Sequence, residues 1–174
     1  KWYRWQAHGR AVRDVMVDGE LVEERGKLAH VVGRGAYELN MLEVCEAMWV
    51  EALAMRRRVL PEDHPEIATS LNDLANLYDG QRRYKEAEPM YVEVLAMKRR
   101  ALPEDHPDIA TSLNNLALLS ETQRRYEEAE PMYVEALAMK RRALPEDHPS
   151  IAISLWNLAM LYKKKEQYEK ALPM

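Results

Sequence analysis

Histidine recurs in a repeated pentapeptide, Pro-Glu-Asp-His-Pro, and is the first residue type in this chain that could hold a metal. The three copies place His64, His106 and His148 at intervals of 42 residues. If two helices separate successive copies, each adds about 8–10 Å, whereas zinc ligands must lie about 2.1 Å from one ion. The spacing therefore predicts that these histidines pack in or cap the linkers and share no metal, and no cofactor is predicted.

Glycine next to a basic residue could bind phosphate, and two stretches raise that question. From Gly19 to Gly26-Lys27 there are six residues between the glycines, where a phosphate loop has four, and Leu28 follows where a hydroxyl residue is needed. The Gly33-Arg34-Gly35 stretch is too short for a dinucleotide fingerprint. No nucleophile–base pair accompanies either one. We therefore predict that the protein is not an enzyme.

Charge and cysteine content narrow the partners and the compartment. The net charge is −4 with both signs interleaved, which gives no reason to expect nucleic acid as a ligand. Cys45 is the only cysteine, so no intrachain disulfide forms, and an intracellular, by default cytoplasmic, location is predicted. The chain begins at Lys1 rather than methionine, so the start of translation is missing and a location in an organelle is a second possibility.

An internal repeat organises the chain. The segments 67–108 and 109–150 agree at 34 of 42 positions and differ at 8, and the first half of the pattern returns from Ile151. Such a period is the signature of units that each bury their apolar face against a neighbour. The predicted array covers residues 25–174, divided into 25–66 (degenerate), 67–108, 109–150 and 151–174 (truncated).

Each intact unit is predicted to form two helices joined by a short polar corner. Leu71, Leu74, Ala75 and Tyr78 are spaced i, i+3, i+4 and i+7, which indicates an amphipathic helix. A second helix is predicted over about residues 85–102. Prolines 103 and 107 then end one helix and begin the next, so the fold class is all-α.

The two ends of the chain fit the pattern less well. Residues 1–24 do not repeat and are predicted to form a degenerate repeat or an N-terminal cap helix. Membrane contact is not expected, except that a basic, aromatic helix over residues 1–17 could make one. Gly26, Gly33 and Gly35 weaken the first helix of the 25–66 unit, since glycine costs up to about 1 kcal/mol in a helix. The array stops one turn into a second helix, which predicts a longer protein with further repeats.

The pattern of small and large residues resembles the tetratricopeptide repeat. Small residues stand at Ala75 and Ala87, and large ones at Leu74, Tyr84 and Tyr91. The 42-residue period, with Asp-His-Pro followed by Ile-Ala and Leu-Asn-Asn-Leu-Ala, is similar to the repeats of kinesin light chains. The resemblance implies a right-handed superhelical solenoid of antiparallel helix pairs, with the first helix of each pair (helix A) lining a concave groove and the second (helix B) on the outside.

The resemblance also implies which residues face a ligand. Carried over position by position, the groove of the three later units comprises Asn72, Asp73, Asn76, Asn114, Asn115, Trp156, Asn157, Lys163 and Lys164. Thr69, Thr111, Leu118 and Met160 are further groove positions, and Lys27, His30 and Arg34 are the weaker equivalents in the 25–66 unit. A row of asparagines can donate to and accept from the backbone of an extended peptide. Trp156 would supply an apolar anchor, and the paired lysines a place for an acidic group.

We therefore predict a scaffold or adaptor that binds a peptide with acidic and aromatic character and that can form part of a larger complex. Two other hypotheses about the function stay open. One is a structural subunit docked in a large assembly through its outer face. The other is a sensor or regulatory region of a larger nucleotide-dependent switch. Asparagine as merely solvated surface is the alternative to the peptide-binding interpretation.

Overall fold

A computed structural model describes residues 19–171 of the chain, and this part is helical throughout, with no strand. The eight helices are α1 (Gly19–Glu38), α2 (Leu42–Val59), α3 (Pro65–Gly80), α4 (Tyr84–Ala101), α5 (Pro107–Thr122), α6 (Tyr126–Ala143), α7 (Pro149–Lys164) and α8 (Tyr168–Ala171). The predicted all-α class of consecutive helix pairs is confirmed. The predictions for residues 1–17 lie outside the described part.

The chain divides into two compact units, residues 1–70 and 71–174. The first unit is built on the pair α1 and α2, and the second contains α4 to α8 together with α3 from Leu71 onward. The division falls inside α3, so the units are described separately. None of the helices over residues 19–171 is long and apolar enough to cross a bilayer.

In the first unit, α1 continues without interruption through Gly26, Gly33 and Gly35. The reason is tertiary packing, which overrides helix propensity here. A Cβ on Gly33 would lie 2.5 Å from Trp49 Nε1, so the indole of α2 rests directly on the α1 backbone. That indole also stacks against Tyr37 and His30 and donates to the His30 carbonyl at 3.2 Å.

In the second unit, the apolar stripes predicted from the period form the core. Leu74, Ala75 and Ala87 are fully buried, and Tyr91 and Val94 are nearly so. One repeat later Ala117, Ala129 and Tyr133 occupy the same positions and are also fully buried. The alanines allow the paired helices to approach closely, and the tyrosines fill the space beside them.

Each helix A ends in the same way, with a residue in the left-handed backbone region. The positive φ angles are 55° at Asn40, 60° at Arg82, 61° at Arg124 and 60° at Glu166. After α3, Arg83 N donates to the Tyr78 carbonyl and Arg82 N to the Asp79 carbonyl, both at 2.8 Å. These bonds form a Schellman motif, which satisfies the last carbonyls of the helix.

Prolines and histidines set the linkers between repeats. Leu102 and Leu144 are extended because each precedes a proline, and α4 and α6 end just before them. Pro107 and Pro149 are the first residues of α5 and α7. Nδ1 of His106 accepts from Asp108 N, and Nδ1 of His148 accepts from Ser150 N, both at 3.1 Å. The predicted capping role of these histidines is thereby confirmed.

Charged residues of the B helices and of the segments beside them tie successive repeats together within the second unit. Arg99 pairs with Glu135 at 2.8 Å, and Arg125 pairs with Glu88 at the same distance. The Arg142 guanidinium holds Asp105 through both oxygens. These side chains are exposed or half-buried, so solvent screens each pair and its contribution to stability is small.

Candidate functional site

The exposed side chains of the A helices in the second unit form the candidate site, which we call the helix-A face. It is defined by residues of α3, α5 and α7 that lie off the buried stripe. The hydrogen bond from Asn115 Nδ2 to Asn72 Oδ1, 3.1 Å, joins α3 to α5 along this face. The bond from Asn114 Nδ2 to Ser154 Oγ, 3.0 Å, joins α5 to α7. The structure therefore brings the candidate residues of the three helices together.

The asparagines are partly engaged with one another and with the protein. Asn72 and Asn115 share the bond just described, and both are half-buried. Asn76 is exposed but accepts a 2.6 Å bond from the Tyr91 hydroxyl. Asn157 is half-buried and makes no hydrogen bond within the described part of the chain. An amide has two donors and two acceptor sites, so each of these four keeps capacity for a ligand.

Asn114 has a different position, because the packing of α7 covers it. Its side chain is 7% exposed, and its Oδ1 has no hydrogen-bond partner. The Ser154 hydroxyl that accepts from it also accepts from Lys140 Nζ at 2.9 Å. Lys140 is buried at 4% exposure, and this burial lowers its pKa. Asn114 therefore belongs to a buried polar network between helices.

Sequence reasoning missed Lys140 and Ser154. The signal that could have found them is their spacing: Lys140 lies in the last turn of α6, and Ser154 in the second turn of α7. The Lys140 ammonium reaches the next helix A, where it also donates to the Ser150 carbonyl at 3.3 Å.

The two lysines predicted to receive an acidic group are used differently. Lys164 Nζ lies 2.7 Å from Oε1 of Glu121, a carboxylate that is 5% exposed. The Tyr133 hydroxyl donates to the other oxygen of Glu121 at 2.8 Å, and burial raises the pKa of this tyrosine. Lys164 therefore neutralises a buried acid. Lys163 is exposed and forms no ion pair within the described residues.

Apolar side chains are exposed on the helix-A face at its α7 end. Trp156 is 68% exposed, Ile153 58% and Leu118 47%, while Met160 is half-buried. Ile153 was not among the predicted groove residues, although it stands where the two earlier repeats have threonine. On α7 these residues follow one another at i, i+3 and i+7, so they lie on one side of the helix.

The remaining candidates have local partners. Asp73 is half-buried and engaged in a contact within the protein. In the first unit, Lys27 pairs with Glu23 at 2.7 Å and with Glu24 at 3.0 Å. His30 is buried, and Arg34 approaches its Nε2 at 3.3 Å. In residues 19–171, no three His, Cys, Asp or Glu side chains lie together as metal ligands would.

Two family models described as tetratricopeptide repeat match this chain. One matches residues 46–66 and 67–108, and the other matches residues 93–142 and 108–174, so together they reach from residue 46 to residue 174. The chain belongs to the tetratricopeptide repeat family. No curated protein matches it.

Solved structures show the same tetratricopeptide repeat fold. BtubC (BKLC) from P. vanneervenii superposes with a TM-score of 0.80 at 23% identity, over 91% of this chain and 62% of that one. A Podosopora anserina protein with nearly identical, tetratricopeptide-like repeats of the kinesin light chain type gives 0.74 at 22% identity, over 98% and 86%. The predicted kinesin light chain-like variety of repeat is confirmed.

Aspartyl phosphate phosphatase F from Bacillus subtilis gives a TM-score of 0.74 at 16% identity, over 91% of this chain and 39% of that chain. At such identities the likeness is one of fold alone. This chain also spans only part of BtubC and of the phosphatase. The tetratricopeptide repeats therefore identify a type of protein-interaction repeat, without a specific partner.

Proposed function

We propose that this chain is a non-catalytic scaffold that binds an extended segment of another protein along the helix-A face of its second unit. The observation that supports the proposal is the exposure of Trp156 and Ile153 on α7, beside amides that keep hydrogen-bonding capacity. Large apolar side chains are costly to leave in water, and aromatic residues are typical anchors of binding interfaces.

The amides support an extended peptide as the ligand. Asn72, Asn115 and Asn157 lie on successive A helices, and adjacent packed helices are about 8–10 Å apart. An extended chain advances about 3.4 Å per residue, so amides at this spacing meet the peptide backbone about every third residue. Backbone pairing of this kind gives affinity without requiring particular side chains.

The α7 end of the face supports an aromatic and acidic character for the peptide. Trp156 and Ile153 offer apolar surface, and Lys163 offers an ammonium without an intramolecular partner among the described residues. Lys164 cannot contribute its full charge, because Glu121 holds it. One acidic residue close to one aromatic residue is therefore the ligand that this end fits.

The test is a capture experiment with matched variants of the immobilised chain. Trp156→Ala and Asn115→Ala change the helix-A face, whereas Val134→Ala removes an exposed apolar side chain from α6. We expect the specifically captured proteins, identified by mass spectrometry, to be lost with the first two variants and kept with the third. Each alanine on the face should lower the affinity for a purified partner by about 10-fold or more, since an interface anchor contributes about 2 kcal/mol.

A second candidate function, docking as a structural subunit through the outer face, is favoured by one observation. Val92 and Val134 occupy the same position of successive B helices and are 49% and 45% exposed. If Val134→Ala abolishes capture while Trp156→Ala and Asn115→Ala do not, the outer face is the binding surface and the groove proposal is wrong.

A further inference from the structure

The helix-A face contains a half-buried carboxylate, Asp79, that forms no ion pair with any residue of the described part of the chain. Asp79 lies in the last turn of α3, and burial raises the pKa of its carboxyl. Of the neighbouring arginines, Arg83 pairs with Glu86 at 3.2 Å and lies over the Tyr78 ring. Arg82 makes no ion pair within residues 71–171. A partly buried carboxylate is stabilised in its charged form by a cation nearby, and Asp79 is paired with none from its own repeat.

The next repeat shows what such a partner looks like. Forty-two residues later, Glu121 stands for Asp79 and Tyr133 for Tyr91. There the Tyr133 hydroxyl donates to one carboxylate oxygen of Glu121, and Lys164 Nζ lies 2.7 Å from the other. The lysine comes from the following helix A. This arrangement is a complete carboxylate–ammonium site of the same design.

At Asp79 the equivalent of Lys164 is missing. The residue 42 positions before Lys164 is Thr122, and its hydroxyl donates to the Leu118 carbonyl of its own helix at 2.8 Å. Tyr91 is present, but its hydroxyl is directed to Asn76 at 2.6 Å. The carboxylate and the tyrosine are thus retained, while the cation is replaced by a short neutral side chain that is occupied elsewhere.

We propose that Asp79 receives a lysine or arginine side chain of the bound partner, which takes the place that Lys164 has at Glu121. The Asp79 site consists of Asp79, Asn76, Tyr91 and Thr122. This inference rests on the proposed function and names a second feature of the ligand. The peptide carries a basic residue at its α3 end, opposite the aromatic and acidic residues at its α7 end.

The geometry sets the separation of the two features. Two steps between adjacent A helices lead from α7 to α3, which is about 16–20 Å at 8–10 Å per step. An extended peptide covers that distance in about five to six residues. The helix-A face should therefore recognise both the charge of the basic residue and the distance between that residue and the aromatic one.

The binding experiment uses fluorescein-labelled ten-residue peptides. Each has a tryptophan–glutamate pair at one end and a lysine, an arginine or an alanine placed two to eight residues away, in both chain directions. We expect lysine or arginine at about five to six residues to bind about tenfold more tightly than alanine, because a charge-assisted bond contributes about 1.5 kcal/mol. Asp79→Asn should abolish the preference. Asp147→Asn, at an exposed carboxylate in a linker, should preserve it.

A second measurement needs no peptide. Thr122→Lys supplies the missing cation within the chain, and we expect it to raise the melting temperature by about 2–4 °C. The gain should vanish when Asp79→Asn is added, and Thr122→Lys should also remove the preference for basic peptides.

The outcomes separate the two proposals. Peptides that bind without a basic preference, or with one that survives Asp79→Asn, overturn the Asp79 site and leave the proposed function standing. If no peptide binds, the proposed function fails, and a Thr122→Lys variant without a gain in stability shows independently that Asp79 does not accept a cation.

Discussion

Replacing Gly33 with alanine should destabilise the first unit, although alanine is the better helix former. The added Cβ would lie 2.5 Å from Trp49 Nε1 and 3.2 Å from Trp49 Cγ, so the indole must move by about 1 Å. Its movement is opposed by the stacking on Tyr37 and His30, with ring centroids 5.8 Å and 6.1 Å away. The hydrogen bond from Trp49 to the His30 carbonyl would also be lost or stretched.

The expected magnitude follows from three contributions. Overpacking of a well-packed site costs about 1–3 kcal/mol, and the loss of one hydrogen bond costs about 1 kcal/mol. The higher helix propensity of alanine returns about 1 kcal/mol. The net loss for Gly33→Ala is therefore about 1–3 kcal/mol in the free energy of unfolding of this unit.

The other repeats supply the rescue variant. At the positions of Gly33 and Trp49 they have Ala75 with Tyr91 and Ala117 with Tyr133. The tyrosine ring is smaller than the indole and leaves room for the alanine methyl group. Gly33→Ala should therefore cost little stability in a chain that already carries Trp49→Tyr. The double-mutant cycle should give a coupling energy of about 1–3 kcal/mol, as for residues in direct contact.

The assay is urea denaturation followed by circular dichroism, together with hydrogen exchange of the α1 amides. Gly35→Ala is the control, because a Cβ there meets nothing within 4 Å. It should stabilise the same helix by about 0.5–1 kcal/mol. If Gly33→Ala stabilised the chain as Gly35→Ala does, or if the cycle showed no coupling, the interpretation of Gly33 as a packing requirement would be refuted.

Three further perturbations test other parts of the chain. Arg124→Gly should raise stability by about 0.5–1 kcal/mol, seen as a higher urea midpoint at constant slope, because this residue has a φ of 61°. Pro131→Ala should raise stability by about 1–2 kcal/mol in the same assay, since the proline lies inside α6 without an amide hydrogen to donate and the first unit has Ala47 there. Burial and the nearby Arg56 lower the pKa of His30 below 6.5, so its neutral form is favoured in the fold and its contribution to stability is complete above about pH 6.5. Stability should fall as the pH drops from 7 to 5, and His30→Gln should flatten that dependence in thermal melts.

The helix pairs and their linkers could be predicted because their causes are local or repeat with a fixed period. An apolar residue at i, i+3, i+4 and i+7 determines which side of a helix is buried, whatever that side meets. A proline excludes the helical conformation of the residue before it, and Leu102 is accordingly extended. The period of 42 then carries each assignment from one repeat to the next.

The burial and pairing of the candidate residues could not be predicted, because they depend on partners far away in the chain. Asn114 is buried by Ser154, 40 residues later, and Lys164 is paired with Glu121, 43 residues earlier. The continuity of α1 has a similar origin, since Gly33 is required by Trp49 of the next helix. Helix propensity alone predicts that Gly33 destabilises α1, whereas in the structure only glycine leaves room for the Trp49 indole.

The differences between the two intact repeats are concentrated where a ligand would bind. Of the 8 differing positions, five fall in the C-terminal half of helix A, at 73, 76, 78, 79 and 80 and their equivalents. Four of these five are on or beside the helix-A face, and only position 78 is buried in both repeats. Packing between identical repeats would favour identical residues, so a requirement other than stacking must distinguish them. A ligand that crosses the repeats presents a different side chain to each one. The change from Asp79 with Thr122 to Glu121 with Lys164 is the variation that such a ligand would select.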